Sequence, residues 1–476
     1  MALVLAGGVV ANSDGVYRAD VRIDGETIAG IGTCVVGKGD EVLDVSGKYL
    51  LPGGIDAHTH FDLPLSNGVR TADSFFTGTR AAIAGGTTCV IDYATQFKSE
   101  SLREGLGNWH RLADGKCFCD YAFHMAITDW NESVSDELPE MISSGVTSFK
   151  MYMAYKGSLQ VDDGVIYWAL KRVMEVGGLL CVHCENGDVI SALTEELSRR
   201  GCVGPEFHPV SRPPVTETEA VSRLTSIASL VGAPVYVVHV SAYSSMEKII
   251  EAKARGARLF AETCPQYLYL DDSLYGGGWE AAKYVCSPPL RGSENHEGLW
   301  ASLRSGFTDV VATDHCSFNF EGQKDGGHKD GMRGDFAKIP NGMPGVESRV
   351  LLMYKGVSEG RLSLPAMVRV ISSNPAAIFG IYPRKGILIP GADADIVVLN
   401  PSGKTVISAR TQFQNVDYTP FEGVEVPASI DAVYLRGVEV FRGGKFLEDA
   451  PAGRYVPRRA SGLSVTDGGG VAGTRL

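Results

Sequence analysis

Six residues carry the chemistry open to this chain: His58 and His60, two apart, together with Lys150, His183, His239 and Asp314. Each lies in, or at the end of, an apolar strand-like run: "GGIDAHTH", "SFKMYMA", "LLCVHCE", "VYVVHVS" and "DVVATDH". Imidazoles and a carboxylate without soft ligands suit Zn²⁺, Mn²⁺ or Co²⁺. Six ligand groups exceed what one catalytic zinc needs, since such a site takes about three and leaves a position open. Two ions about 3.5–4 Å apart would use them all. Such a pair needs a bridging ligand that is anionic and has two oxygens. An ammonium cannot serve, because it has donors and no acceptor. A buried lysine held neutral can add CO₂ and become a carbamate, which has two oxygens and one negative charge. Lys150 is therefore predicted to be carboxylated. The plain alternative is an edge strand from which Lys150 reaches water over its own apolar stem.

The elements that must position these residues can be read from the same runs. Eight apolar runs alternate with helix-like stretches such as "SFFTGTRAAIAGG" and "SSMEKIIEAKARG". The eight are "GGIDAHTH", "TTCVIDY", "YAFHMAI", "SFKMYMA", "LLCVHCE", "VYVVHVS", "LFAETCPQ" and "DVVATDH", and they spell an α/β fold, a (β/α)8 TIM-like barrel. Alternation then turns Phe149, Met151 and Met153 toward the helices and Lys150 into the pore. It likewise sets Leu180 and Val182 opposite His183, and Val238 and Val240 opposite His239. All six polar residues converge at the C-terminal rim, where barrel active sites lie. Short strands fill the first fifty residues and return late in the chain, which predicts a small β-sandwich built from both chain ends. The expected divisions are 1–52 and 381–455 for the sandwich, 53–380 for the barrel and 456–476 for a Gly-, Ser- and Arg-rich tail, an arm or a disordered end. The loop "NFEGQKDGGHKDGMRGDFAKIPNG" follows the eighth strand, so it is expected to lie over the site and, with five glycines before "DFAKIPNG", to be mobile.

The net charge of −12 with a pI near 5.4 disfavours nucleic acid and anionic membranes as partners. No apolar run reaches the roughly 18 residues of a spanning helix. The opening "MALVLAGGVVANSDG" lacks a basic n-region and is read as structure, not as a targeting segment. Most of the ten cysteines sit in apolar runs, which fits buried thiols in a reducing, cytoplasmic setting. Cys181 and Cys184 form a CxxC without a second one, so they too are read as buried thiols.

The chain resembles the dihydropyrimidinase and D-hydantoinase family of cyclic amidohydrolases over nearly its whole length. The motifs that carry the resemblance are "PGGIDAHTHFDLP", "TSFKMYMAYKG", "VHCENGDVI", "YVVHVSA", "ETCPQYL", "SPPLR", "TDHCSF" and "DFAKIPNGMPGVE". The resemblance implies two Zn²⁺ bridged by carboxylated Lys150 and a hydroxide nucleophile. One ion would be held by His58, His60, Lys150 and Asp314, the other by Lys150, His183 and His239. It further implies that the Tyr155 hydroxyl stabilises the oxyanion and that Asp314 carries the proton to the leaving nitrogen. Ser287 and Asn341 would bind the substrate amide edge through backbone groups, and Leu65, Tyr152 and Leu159 would line a pocket for the ring substituent. The implied reaction opens 5,6-dihydropyrimidines or 5-substituted hydantoins to N-carbamoyl amino acids, in a homotetramer or at least a dimer. A dihydroorotase would carry a cation just after the HxH pair, where this chain has Phe61 and Asp62. An allantoinase usually has an Asn in the same stretch, and the non-catalytic scaffolds of this fold lack metal ligands.

Overall fold

The computed structural model describes residues 2–33, 35–65, 68–325, 334–448 and 450–460. Eight parallel strands pair in chain order: β1 (Gly54–Thr59), β2 (Thr87–Thr95), β3 (Asp120–Ala126), β4 (Ser148–Tyr152), β5 (Leu179–His183), β6 (Val235–Val237), β7 (Leu259–Thr263) and β8 (Val310–Val311). The ends of this sheet meet beyond the last strand. Thr59 bridges to His315, His60 N–H donates to the His315 carbonyl at 2.8 Å, and the His315 N–H returns to His58 at 3.3 Å. The barrel is thus closed by the residues that also carry the HxH pair. Its strands are buried almost throughout because both faces are covered. Ile55, Ile91, Leu179, Tyr236 and Val310 fill the pore. Phe149, Met151, Met153, Leu180 and Val182 pack outward under the helices, as alternation predicts. The first two barrel helices begin on capping side chains: Ser74 and Thr77 form a capping box at Phe75–Ala84, and Ser101 and Glu104 form another at Leu102–Ala113. Each such cap is worth about 1 kcal/mol.

The two chain ends build the sandwich together. A seven-stranded sheet runs Lys445–Phe446, Val438–Arg442, Ser429–Leu435, Ile396–Asn400, Tyr49–Pro52, Val9–Asn12 and Gly15–Arg18. Its centre is the antiparallel pairing of Ile396–Asn400 with Tyr49–Pro52, which joins late chain to early chain. A four-stranded sheet from residues 3–44 faces it across a core of Leu5, Val21, Ile23, Leu50, Ile396, Val398 and Tyr434. Sandwich and barrel are clasped by a buried ammonium: Lys385 Nζ lies 2.6 Å from both Asp120 and Asp395 and 3.0 Å from Asp393.

The chain beyond the sandwich strands runs as an arm under the barrel floor. The Tyr121 N–H donates to Arg454, Val456 N–H to Tyr121, and Arg458 N–H to Gly145. Gly145 has φ +85°, and a Cβ there would stand 2.6 Å from Pro457, so the arm needs glycine at that crossing. The rest of the expected tail, 461–476, lies outside the described residues. So does the glycine-rich centre of the loop after β8, residues 326–333. The described root of that loop is pinned, with buried Lys324 donating to the carbonyls of Ala282 (3.1 Å) and Val285 (2.8 Å). The nine described cysteines are free; Cys181 faces the pore and Cys184 the helices, as expected of separate buried thiols. Among the described residues no helix is long and apolar enough to cross a membrane.

Candidate active site

The six side chains meet at the C-terminal rim. Asp314 Oδ1 lies 3.0 Å from His58 Nε2 and 3.2 Å from His60 Nε2. Lys150 Nζ is 3.5 Å from His58 Nε2 and 4.6 Å from the centre of the Tyr93 ring. His183 and His239 meet edge to face at 4.6 Å, and His239 stacks on His58 at 5.4 Å. The centre opens on one side only, since His60 and Asp314 keep 11% and 14% of their side chains exposed while His58 keeps 1% and His183 2%.

The local backbone works to achieve this convergence. The β1–β2 register shifts between Asp56 and Thr59, an irregularity that re-aims the HxH pair. His239 has φ +38°, Asp314 +52° and Tyr155 +68°. Residues without glycine's freedom hold this region at a cost of about 1–3 kcal/mol each, and they do so chiefly at functional sites. For His239 the expected alternation is corrected. Val238 faces the pore with Tyr236 rather than lying opposite His239, and β6 ends at Val237. His239 reaches the centre through its left-handed backbone, not through strand periodicity.

The donors fit a metal pair. His58, His60 and Asp314 place their ligand atoms within 4.8 Å of one another. His60 Nδ1 and His239 Nδ1 are buried without a hydrogen-bond partner. Burial pushes His60 down to about 4 and lowers His183 and His239, which favours the neutral form that ligates. Burial would raise Asp314, but the His58, His60 and His239 rings outweigh it and hold this carboxyl well below the usual range. Lys150 is 1% exposed, and burial lowers its pKa against the upward pull of Asp314 and Glu262. Among the described residues no carboxylate oxygen lies within ion-pair distance of it. A second trio, Asp120, Asp393 and Asp395, is already filled by the Lys385 ammonium.

The amidohydrolase family model matches residues 49–440, which spans the barrel and much of the sandwich. The chain belongs to the amidohydrolase family. A D-hydantoinase of Streptomyces coelicolor is 44% identical over 96% of this chain and 97% of its own length. That of Geobacillus stearothermophilus is 43% identical over 98% of each. Among solved structures, the dihydropyrimidinase of Brevibacillus agri superposes with a TM-score of 0.94 at 43% identity, covering 97% of this chain and 99% of that one. The L-hydantoinase of Arthrobacter aurescens gives 0.86 at 28% identity, covering 96% and 99%. Amidohydrolases of this kind use a binuclear metal centre, which agrees with the donor set described above.

Of the remaining expected residues of this amidohydrolase, Tyr155 and Tyr152 border the centre through the His183 ring, at 5.1 and 6.0 Å. Tyr155 also lies beside Ser287. The chain directly after Asn341 is held at two points, Gly342 N–H donating to the Val285 carbonyl and Met343 pairing with His315 and Cys316. Leu65 packs with Val69, Cys316 and Phe318. Tyr152 meets Tyr155 edge to face at 6.0 Å. Leu159 is half-buried on the turn closed by Tyr155.

Three functional side chains were not singled out from the sequence. Glu262 on β7 accepts from His58 Nδ1 at 2.7 Å, from the Tyr236 hydroxyl at 2.8 Å and from the His239 N–H at 3.0 Å. It fixes the His58 ring with Nε2 toward the centre, the role an outer carboxylate plays at metal sites. Glu185 does the same for His183, bonding Nε2 at 2.8 Å and leaving Nδ1 for a metal, and Arg212 pairs with Glu185 at 2.7 Å. The signal for Glu262 was available in "LFAETCPQ", since a carboxylate within an apolar barrel strand is as anomalous as Lys150.

Proposed function

We propose that this amidohydrolase hydrolyses the ring amide of 5,6-dihydropyrimidines and 5-substituted hydantoins to N-carbamoyl amino acids. The observation that carries the reading is the convergence of four histidines, Lys150 and Asp314 on one rim open at His60 and Asp314. His58, His60, Asp314 and carboxylated Lys150 would hold one Zn²⁺, and Lys150, His183 and His239 the other. Two imidazoles alone leave the second ion short of ligands, and a carbamate on Lys150 supplies the missing oxygen. When bound, such a pair makes hydroxide available at neutral pH and polarises a carbonyl.

The chain's own groups do the rest. Tyr155 donates its hydroxyl proton in a hydrogen bond to the carbonyl oxygen as that oxygen gains charge, a contribution worth about 10²–10³ in rate. Asp314 takes the proton of the attacking water on a carboxylate oxygen. It then delivers that proton to the ring nitrogen as the C–N bond breaks, leaving a carboxylic acid and a ureido group. Ser287 and Asn341 hold the imide edge through their backbone, and Leu65, Tyr152 and Leu159 face the ring substituent. The acidic, thiol-rich chain fits the cytoplasm, and a homotetramer or dimer is the expected assembly.

The test is a rate comparison on dihydrouracil, hydantoin, 5-phenylhydantoin, allantoin and dihydroorotate, with metal analysis of the same sample. Turnover of the first three with about two zinc ions per chain is expected. Fast turnover of only the last two, or a metal-free inert protein, would overturn the reading.

A further inference from the structure

We propose that Arg212 is a positioning residue of this reaction, fixing the Tyr155 phenol through its guanidinium face and the His183 ring through Glu185; the inference rests on the roles proposed above for Tyr155 and His183. Arg212 follows the short helix His208–Ser211, remote in sequence from every ligand. Its guanidinium carbon lies 5.6 Å from the Tyr155 ring centre, while its Nη1 donates to Glu185 Oε2 at 2.7 Å. That oxygen also accepts from His183 Nε2 at 2.8 Å, and the other oxygen, Oε1, is buried without a partner. One buried carboxylate oxygen therefore ties the arginine to a metal-binding imidazole, and one cation ties both to the oxyanion donor.

The arginine is itself held from behind. Its carbonyl accepts from Arg291 Nη1. Arg291 in turn donates from Nε to Ser241 Oγ at 3.0 Å and from Nη2 to Glu217 Oε2 at 3.1 Å. Glu217 Oε1 accepts the N–H groups of Ser241 and Ala242, the residues that follow His239 and Val240. The network thus runs from the end of β5 to the segment after β6 and reaches Tyr155 at the Arg212 guanidinium; the φ of +68° at Tyr155 must be imposed by its surroundings. Only arginine suits the junction, because a planar guanidinium can lie over a ring and donate in its own plane at once. A lysine can serve Glu185 or the ring, not both.

A merely structural ion pair would lose stability without any coupling to Tyr155, and a double-mutant cycle separates the cases. The enzymes compared are wild type, Arg212→Met, Arg212→Lys, Tyr155→Phe and the Arg212→Met/Tyr155→Phe double variant, all assayed with saturating zinc on 5-phenylhydantoin. Arg212→Met is expected to lower kcat by about 10–100-fold, the usual cost of losing an outer-sphere partner, with KM moved less than about threefold. In the Tyr155→Phe background the same change is expected to cost at least about threefold less than in the wild type, because only the share carried through Glu185 and His183 remains. Arg212→Lys, which keeps a cation for Glu185 and so a folded chain, is expected to lose kcat as well. Losses that multiply across the cycle, or an Arg212→Lys enzyme at full kcat, would overturn the inference while leaving the proposed function intact. A Tyr155→Phe enzyme at full rate would instead overturn the role of Tyr155 itself.

Discussion

Replacing Glu262 by glutamine tests the centre at its least visible support. The carboxylate accepts three hydrogen bonds, at 2.7, 2.8 and 3.0 Å, from His58 Nδ1, Tyr236 and the backbone of His239. Hydrogen bonds to a charged group are worth about 1.5–3 kcal/mol and neutral ones about 0.5–1.5, so each bond loses roughly 1 kcal/mol when the charge is removed. The amide also turns an NH₂ group toward one of the three donors, and Tyr236 is the one free to rotate away. The total is about 3 kcal/mol, of which the His58 share of about 1–2 kcal/mol weakens zinc binding by about 5–30-fold. The assay is zinc competition against a chelator of known affinity, with the metal-free protein's unfolding measured in parallel. Glu262→Gln is expected to bind zinc more weakly and to unfold more easily. A zinc affinity within twofold of wild type would refute the reasoning, because the His58 ring would then be oriented without Glu262.

Three further outcomes are expected. Lys150→Arg cannot form the carbamate, so the variant should hold fewer metal ions per chain and lose activity; two ions and full activity in that variant would sink the bridging role. Lys385→Met leaves Asp120 and Asp395 buried without their ammonium, and equilibrium urea unfolding should register a loss of about 3–5 kcal/mol; a change below about 1 kcal/mol would count against the clasp. Burial lowers Lys324 to about 7 in the native state. The unfolded chain, with an ordinary lysine near 10.4, therefore binds the extra proton between these values. Stability should accordingly rise with pH from about 7 upward, and Lys324→Met should flatten that rise; an identical pH slope in the two proteins would contradict it.

Much of this centre was legible because strands alternate. Lys150 and His183 each sit where period-two reading puts a pore-facing side chain, and their apolar neighbours face the helices. His239 was found for a reason that fails, since its backbone leaves the strand before the histidine and no residue type announces a left-handed turn there. Glu185 and Arg212 lie 27 residues apart and meet only through the fold. The late sequence "YVPRRASG" offers no periodicity, yet Arg458 in it is 3% exposed and donates to the Phe123 carbonyl under the barrel. Local pattern reports which way a side chain points from its own element. It does not report which distant segment will cover that element, because such contacts depend on closure of long loops.

The sheet shared by the chain ends also sets a timetable for biosynthesis. Tyr49–Pro52 lies between Val9–Asn12 and Ile396–Asn400, and the second of these neighbours emerges from the ribosome last. At about 5–20 residues per second, the roughly 340 intervening residues take about 17–70 s to make. For that interval the strand presents an open edge, able to recruit another nascent chain. Assembly inside the cell is therefore a race between completing one polypeptide and aggregating with the next. The barrel, translated in between, has time to form first and bring the two ends of the chain together.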